Sequence, residues 1–245
     1  MSDRRAVLRA EFERAASGFA ERTKGRFDSL GVVDFSRAEP ADTVLEVGAG
    51  TGNFLALFEG AAARLVALDL TPGMLQRARS EHPGMKLVLG DGGSLPFASG
   101  SVELVASAQV LHHIDDPAPV LAEMRRVSAR RVLVVDQIAT DDPTEVAALD
   151  ELEKLRDPSH AASRPLGALR ALLEAAGMAI VDERLYAGEQ RLADWMWPGE
   201  FPPERIAAVA RFIERRGHET GKDFRRKGDD WAFTRRRMML LCKPA

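Results

Sequence analysis

The sequence predicts an α/β fold built on a doubly wound, mainly parallel sheet. Three observations carry that expectation. From Thr43 onward, short and almost continuously apolar runs alternate with helical stretches, the pattern of strands buried on both faces of a parallel sheet. The first run empties into a glycine-rich turn, "VLEVGAGTGNF" from Val44 to Phe54. Acids then close the next two runs, Asp69 and Asp91.

Ahead of the sheet, Val7, Leu8, Phe12, Ala15, Ala16 and Phe19 recur at helical spacing in a segment that extends to about Phe27. "TVLEV" is the first strand and "NFLALFEGAA" reads as a helix after its glycine turn. "RLVALDL" is the second strand. In the helix "TPGMLQRARSEH", Thr71 can cap and Pro72 suits the first turn. "MKLVLG", "VELVASA" and "RVLVVDQI" read as further buried strands. The last two are joined by the helix in "DDPAPVLAEMRRVS", with Asp116 as its cap and Pro117 behind it. "DDPTEVAALDELEKLRDPSH" is helical in composition, and "PLGALRALLEAAG" is a helix stopped at Gly177. "MAIVDERLY" and "FTRRRMMLLCKP" complete the strands. More than 40 residues separate those two, too many for a hairpin turn and too apolar for a disordered linker. They read as a helical insertion over the open end of the sheet.

At 245 residues the chain fits a single domain, 1–245, with a sizeable core. Hydrophobic residues at 45% and charged residues at 29% describe a globular protein, and a net charge of −3 gives no global reason for a polyanionic partner. One cysteine, Cys242, excludes an intramolecular disulfide and a zinc site of several thiolates. The charged start lacks the apolar stretch of a secretory signal, and no run reaches the roughly 20 apolar residues of a membrane span. The expected location is therefore cytoplasmic.

The glycine turn limits its ligand. No Lys-Ser/Thr follows it, which rejects a phosphate loop of the ATP-binding type. Gly48, Gly50 and Gly52 stand at relative positions one, three and five, with Asn53 at six, a departure from the dinucleotide fingerprint. Asp69 lies 21 positions after Gly48, where a carboxylate can accept from both hydroxyls of a ribose. Asp91, beside the bare backbone of Gly92, suits an exocyclic adenine amine.

"LEVGAGTG", "ALDLTPGMLQRA", "GDGGSLPF" and "ASAQVLHHIDDP" resemble the ordered motifs of class I S-adenosylmethionine-dependent methyltransferases over about Ala41 to Ile138. "LEKLRDPSH" and "LLEAAGM" resemble a bacterial group related to the ubiquinone and menaquinone C-methyltransferases (methyltransferase type 11). The resemblance implies seven strands, the last antiparallel, a cofactor core over 41–140, and S-adenosylmethionine as cofactor with S-adenosylhomocysteine as product. It places Gly48, Ala49 and Gly50 against the methionine portion and Glu46 near its ammonium group. Asp69 would take the ribose, with Leu70 beside the adenine. Met74 would make an apolar contact, or simply face the core. Asp91 and Gly92 would hold the adenine edge, and Ala108, followed by Gln109, would border the methionine side.

Methyl transfer from a sulfonium is an in-line displacement, to which a protein contributes mainly proximity and orientation. A base matters only where the acceptor must lose a proton. His112 and His113, just past the fourth strand, stand at the crevice where such sheets bind ligands. Either can be that base or simply pack against the next helix. His160 is a further candidate. Trp195, Trp197 and Phe201 can wall a substrate pocket or pack the inserted helices. Arg156 and Arg164 read as solvated helix ends, with contact to an acidic substrate as the alternative.

A small-molecule acceptor (a quinol, phenol, enol or amine) is the expected substrate, with the N-terminal helix (1–30), 142–165 and 189–230 as a helical lid. Between Arg211 and Arg237 ten Lys/Arg face five Asp/Glu, which raises an RNA or protein substrate, but the interspersed acids disfavour nucleic acid. A cofactor-binding protein that does not methylate is the third reading, since fold does not fix function. Glycine spacing and Asp91 disfavour a nicotinamide oxidoreductase, and no metal site is expected. Monomer and homodimer both remain open.

Overall fold

Residues 2–196 and 201–245 are described by the computed structural model. Strands β1 (Thr43–Val47), β2 (Arg64–Asp69), β3 (Lys86–Leu89), β4 (Val102–Ala108), β5 (Ser128–Gln137), β6 (Met178–Arg191), β7 (Arg225–Lys227) and β8 (Asp230–Pro244) share one sheet. Their order is β3-β2-β1-β4-β5-β8-β6, with β7 paired to β8. β1 to β5 are mutually parallel, whereas β8 runs antiparallel to both β5 and β6. The order reverses between β1 and β4, which opens a crevice at their carboxyl ends. The expected seven strands are therefore present, and β7 is a three-residue addition.

Helices α1 (Ser2–Thr23), α2 (Val32–Ser36), α3 (Pro72–Glu81), α4 (Ala118–Val127), α5 (Pro143–Arg156), α6 (Leu166–Ala175), α7 (Leu192–Met196) and α8 (Pro203–Arg216) surround the sheet. Alternate strand residues feed separate cores. Leu45, Val105, Val132 and Val134 pack with Leu121 and Met124 of α4 and Leu169 and Leu173 of α6. Val44, Leu104, Leu133 and Val135 pack on the opposite face with Phe27, Phe35, Phe54, Phe58 and Leu75. A satellite core joins Leu152 of α5, Leu192, Trp195 and Met196 of α7, Val209 and Ile213 of α8, and Phe233 of β8.

Several local expectations are corrected. After β1 stands a 3₁₀ turn, Leu55–Phe58, in place of the α-helix read in "NFLALFEGAA". Phe54, Leu55 and Phe58 are drawn into the core while Glu59 turns extended and Gly60 takes φ 76°, which stops propagation. β3 is an edge strand rather than a buried one, with Leu89 60% exposed. The insertion does not begin as helix at Glu189, because β6 continues to Arg191, opposite Ala232. Its polar "GEQR" end suits an edge strand, where charges block further pairing. Thr71 occupies the N-cap of α3 without a side-chain cap bond, and Pro117 takes the N-cap of α4. The Asp116 carboxylate still accepts from the Ala118 N–H at 3.1 Å.

Candidate active site

The loop after β1 closes against the end of β2. Gly48 and Ala49 donate to the Leu68 carbonyl at 2.8 and 3.0 Å. Gly48 has φ 76°, and a Cβ there would lie 2.6 Å from a Val110 methyl, so both conformation and packing demand glycine. The Asp69 carboxylate takes the N–H of Gly50 and that of Thr71, each at 2.8 Å. It is 8% exposed, and burial raises its pKa against the pull of these backbone donors. Glu46, on β1, is pushed well above the carboxylate range by burial and then by Asp69. Its Oε2 is buried without a hydrogen-bond partner. An orphaned carboxylate oxygen beside glycine backbone suits a cationic amine from a ligand. Gly92 lies close to β1, where a Cβ would come 2.8 Å from Val47.

A cavity of about 510 Å³ runs along these loops. Glu46, Gly48, Ala49, Gly50, Asp69, Leu70, Asp91, Gly92 and Ala108 all line it. Met74 does not, because it is fully buried, so the core-facing alternative describes its place. Asp91 accepts from the Gly93 N–H at 2.9 Å and pairs with Arg5 of α1 at 2.7 Å. Leu8, Phe12 and Phe19 of the same helix also line the cavity. Glu13 accepts from the Gly73 N–H at 3.1 Å, which ties α1 to the start of α3. Asn53, the residue that departs from the dinucleotide pattern, donates to the Ala20 carbonyl and the Thr23 hydroxyl at 2.6 and 2.7 Å. The glycine loop is thereby tied to the end of α1.

The three histidines converge. His112 and His113 have ring centroids 4.1 Å apart, and His112 and His160 5.9 Å. His112 Nδ1 lies 2.6 Å from the Asp136 carboxylate at the end of β5. Burial pushes Asp136 up most strongly, but His112, the Gln137 N–H and His113 together outweigh it, leaving the carboxyl below its usual range. His113 Nδ1 lies 3.0 Å from the Ser159 hydroxyl, which donates to Asp157 at 2.5 Å. Since that hydroxyl has only one proton to give, Nδ1 of His113 must be the donor and Nε2 the acceptor. Burial, then His112, pushes His113 down to about 3, so the ring is neutral. His160 Nε2 lies 3.0 Å from Asp150, and the ring has no exposed surface.

A side chamber of about 90 Å³ adjoins the cavity. Phe12, Phe19, Arg26, Gln109 and His113 line both spaces, whereas His112, Arg156, Trp195, Phe201 and Arg235 line only the side chamber. Trp195 and Phe201 line this chamber and also pack in the satellite core, and Trp197 lies outside the described residues. The solvated helix end expected for Arg156 is corrected, since it is 8% exposed and its guanidinium lies 4.6 Å from the Trp195 ring centre. Arg164 donates to the Leu111 and Ile114 carbonyls at 2.7 and 2.6 Å, holding the histidine turn in place. Sequence reasoning missed Arg5, Arg26, Asp136, Ser159 and Arg235. Among these, Asp136 alone carried a signal, an acid closing a parallel strand.

The exposed basic stretch is largely ion-paired. Arg225 and Lys227 meet Glu189, Arg226 meets Glu214, and Arg236 meets Asp223, at 2.7–2.8 Å. Among the described residues no helix is long and apolar enough to cross a membrane, and no group of metal-ligating side chains assembles.

Residues 45–135 match the methyltransferase domain family. An uncharacterized methyltransferase of Bacillus subtilis, YcgJ, is 27% identical over 188 residues, 74% of each chain. Its crystal structure superposes with a TM-score of 0.81 at 23% identity, covering 88% of this chain and 97% of that one. A demethylmenaquinone methyltransferase of Renibacterium salmoninarum is 38% identical over 97 residues, 40% of this chain and 41% of its own length.

Proposed function

We propose that the chain, a class I S-adenosylmethionine-dependent methyltransferase by its domain, relatives and fold, methylates a small molecule held between the main cavity and the side chamber. The carrying observation is the adjoining pair of spaces. One is lined by the glycine loop and three strand-end acids; the other by aromatic rings, histidines and arginines. Helix α1 serves as a lid over both, because it lines both and is fastened at Asp91, Gly73 and Asn53.

S-adenosylmethionine, which the family uses, supplies a methyl group already activated on a sulfonium. Glu46 would accept from its ammonium group, Asp69 from the ribose hydroxyls, and Asp91 with Gly92 would meet the adenine edge. Each Asp69 oxygen already takes one backbone N–H and has a second lone pair to offer. The protein's main contribution is to fix the acceptor in line, worth about 7–11 kcal/mol in favourable cases. His113, at the junction of the two spaces, accepts a hydrogen bond from the acceptor through Nε2 and orients it. His112 takes the acceptor's proton where one must leave, since the Asp136 carboxylate stabilises the imidazolium that results. His160 positions the segment that covers this pair. Pairing of the exposed basic residues with carboxylates supports a small acceptor over a phosphate backbone.

The test is isothermal titration with S-adenosylmethionine and S-adenosylhomocysteine, beside Asp69→Ala. Micromolar binding that the variant loses is expected. Binding that is equal in the two proteins would overturn the assignment of the site.

A further inference from the structure

Among the described residues, cations crowd the side chamber. Arg26, Arg156 and Arg235 line it, Arg237 stands close enough to depress the charged forms of Arg26 and Arg235, and Arg235 and Arg156 depress that of Lys222. Of the nearby acids, Glu153 is already shared between Arg156 at 3.1 Å and Lys222 at 3.5 Å. Asp157 accepts from the Ser159 hydroxyl and backbone N–H, and Glu11 pairs with Arg14 at 2.6 Å. Arg235 donates to a neutral partner, the Gln109 side-chain carbonyl, at 2.7 Å. Its Nε is buried without a hydrogen-bond partner, as is the Gln109 amide nitrogen. Gln109 also holds φ 59° at the end of β4, a backbone region that non-glycine residues seldom adopt and that clusters at functional sites. Two orphaned donors therefore meet in a cationic chamber beside His113.

Resting on the methyltransferase reading above, we propose that this chamber binds an oxyanion, a carboxylate or phosphate, that belongs to the methyl acceptor. Arg235 and Arg156 supply the charge and the Gln109 amide a further donor. Planar guanidinium forks match both oxyanions. The anion is assigned to the acceptor rather than to the cofactor's own carboxylate because Arg156 and Arg235 line only the side chamber. Glu46, the glycine loop and Asp69 line only the main cavity. The acceptor's anionic end would sit in the side chamber and its nucleophile would lie at the junction of the two spaces, beside His112 and His113.

The test uses full-length protein saturated with S-adenosylhomocysteine, at fixed ionic strength set with chloride. Benzoate, its neutral isostere benzamide, and inorganic phosphate are titrated by calorimetry, with thermal shift alongside. Benzoate or phosphate is expected to bind at least tenfold more tightly than benzamide, and whichever leads identifies a carboxylate or a phosphoryl acceptor. Arg235→Gln should erase that preference while S-adenosylhomocysteine affinity stays within twofold. Gln109→Glu places a carboxylate against Arg235; it should raise the melting temperature and remove the response to added anions. Indistinguishable binding of all three probes overturns the proposal. So does anion binding that competes with S-adenosylhomocysteine, which would return the arginines to the cofactor. Failure of the wild-type protein to bind S-adenosylhomocysteine overturns the underlying methyltransferase site instead.

Discussion

Replacing Glu153 with Gln isolates the charge balance behind the candidate site. Glu153 stands on α5 with no exposed surface, and its Oε2 accepts from Arg156 Nε and Nη2 at 3.2 and 3.1 Å. Lys222, 8% exposed, approaches the other oxygen at 3.5 Å. Gln keeps the shape but leaves two buried cations without their shared anion, next to Arg26 and Arg235. Removing one partner of a buried ion pair costs about 3–5 kcal/mol. At about 2–4 °C per kcal/mol for a chain of this size, even the lower figure lowers Tm by ~6–12 °C. The pH dependence has a definite sign. Burial raises Glu153, but Arg156 and Lys222 pull harder and leave it well below its ordinary value of 4.5. The stabilisation is therefore complete above that value and is lost as pH falls below it. Urea denaturation at pH 7 and at pH 4 measures both effects. In Glu153→Gln/Lys222→Met the loss should be smaller than the sum of the single changes by at least about 1 kcal/mol, since one orphaned charge is gone. A single-variant loss below about 1 kcal/mol, with no coupling to Lys222, would refute the reasoning.

Three further outcomes are expected. Asp136→Asn should lower kcat toward the roughly 10²–10⁴-fold loss of a general base, with S-adenosylhomocysteine affinity unchanged by calorimetry; an unaltered kcat would remove His112 from proton transfer. His113, held neutral down to about 3 against an ordinary 6.5, should make the protein lose stability as pH falls below 6.5, by at most about 1.4 kcal/mol per pH unit. Denaturation midpoints of His113→Gln between pH 7 and 5 should show a flatter slope than wild type. Gly48→Ala should abolish cofactor binding in titration, since its Cβ would collide with Val110 at a backbone angle that suits glycine.

The sheet and its carboxyl-end loops were legible because local chemistry specifies them. Apolar runs gave the parallel strands, and Gly48 and Asp69 could be placed from spacing alone. What failed was set by distant packing. "NFLALFEGAA" has helical composition, yet Phe54 and Phe58 are pulled into a core formed with Phe27, and only a 3₁₀ turn survives. Met74 matches its motif, but α3 turns it inward. Arg156 looked solvated because nothing near it in sequence announces Trp195, 39 positions later, whose ring covers it. The histidine cluster was half legible. His112 and His113 advertise themselves, but Asp136 and Ser159 reach them only through the path of β5 and the segment after α5.

The antiparallel β8 carries this point furthest. Because it runs against β5, its early residues arrive beside the carboxyl end of the parallel strands, with Arg237 opposite Gln137. Arg235, two positions earlier on the same face, thus reaches Gln109 across 126 residues of sequence. A parallel final strand would have put those arginines at the amino ends of the parallel strands, away from the crevice. The proposed cofactor contacts come from β1, β2, β4 and the loop after β3, whereas the proposed acceptor contacts come from α5, β8 and the turn after β4. Substitutions at Arg156 or Arg235 can then alter acceptor choice without touching the glycine loop. That separation suits a fold in which one cofactor site serves many substrates.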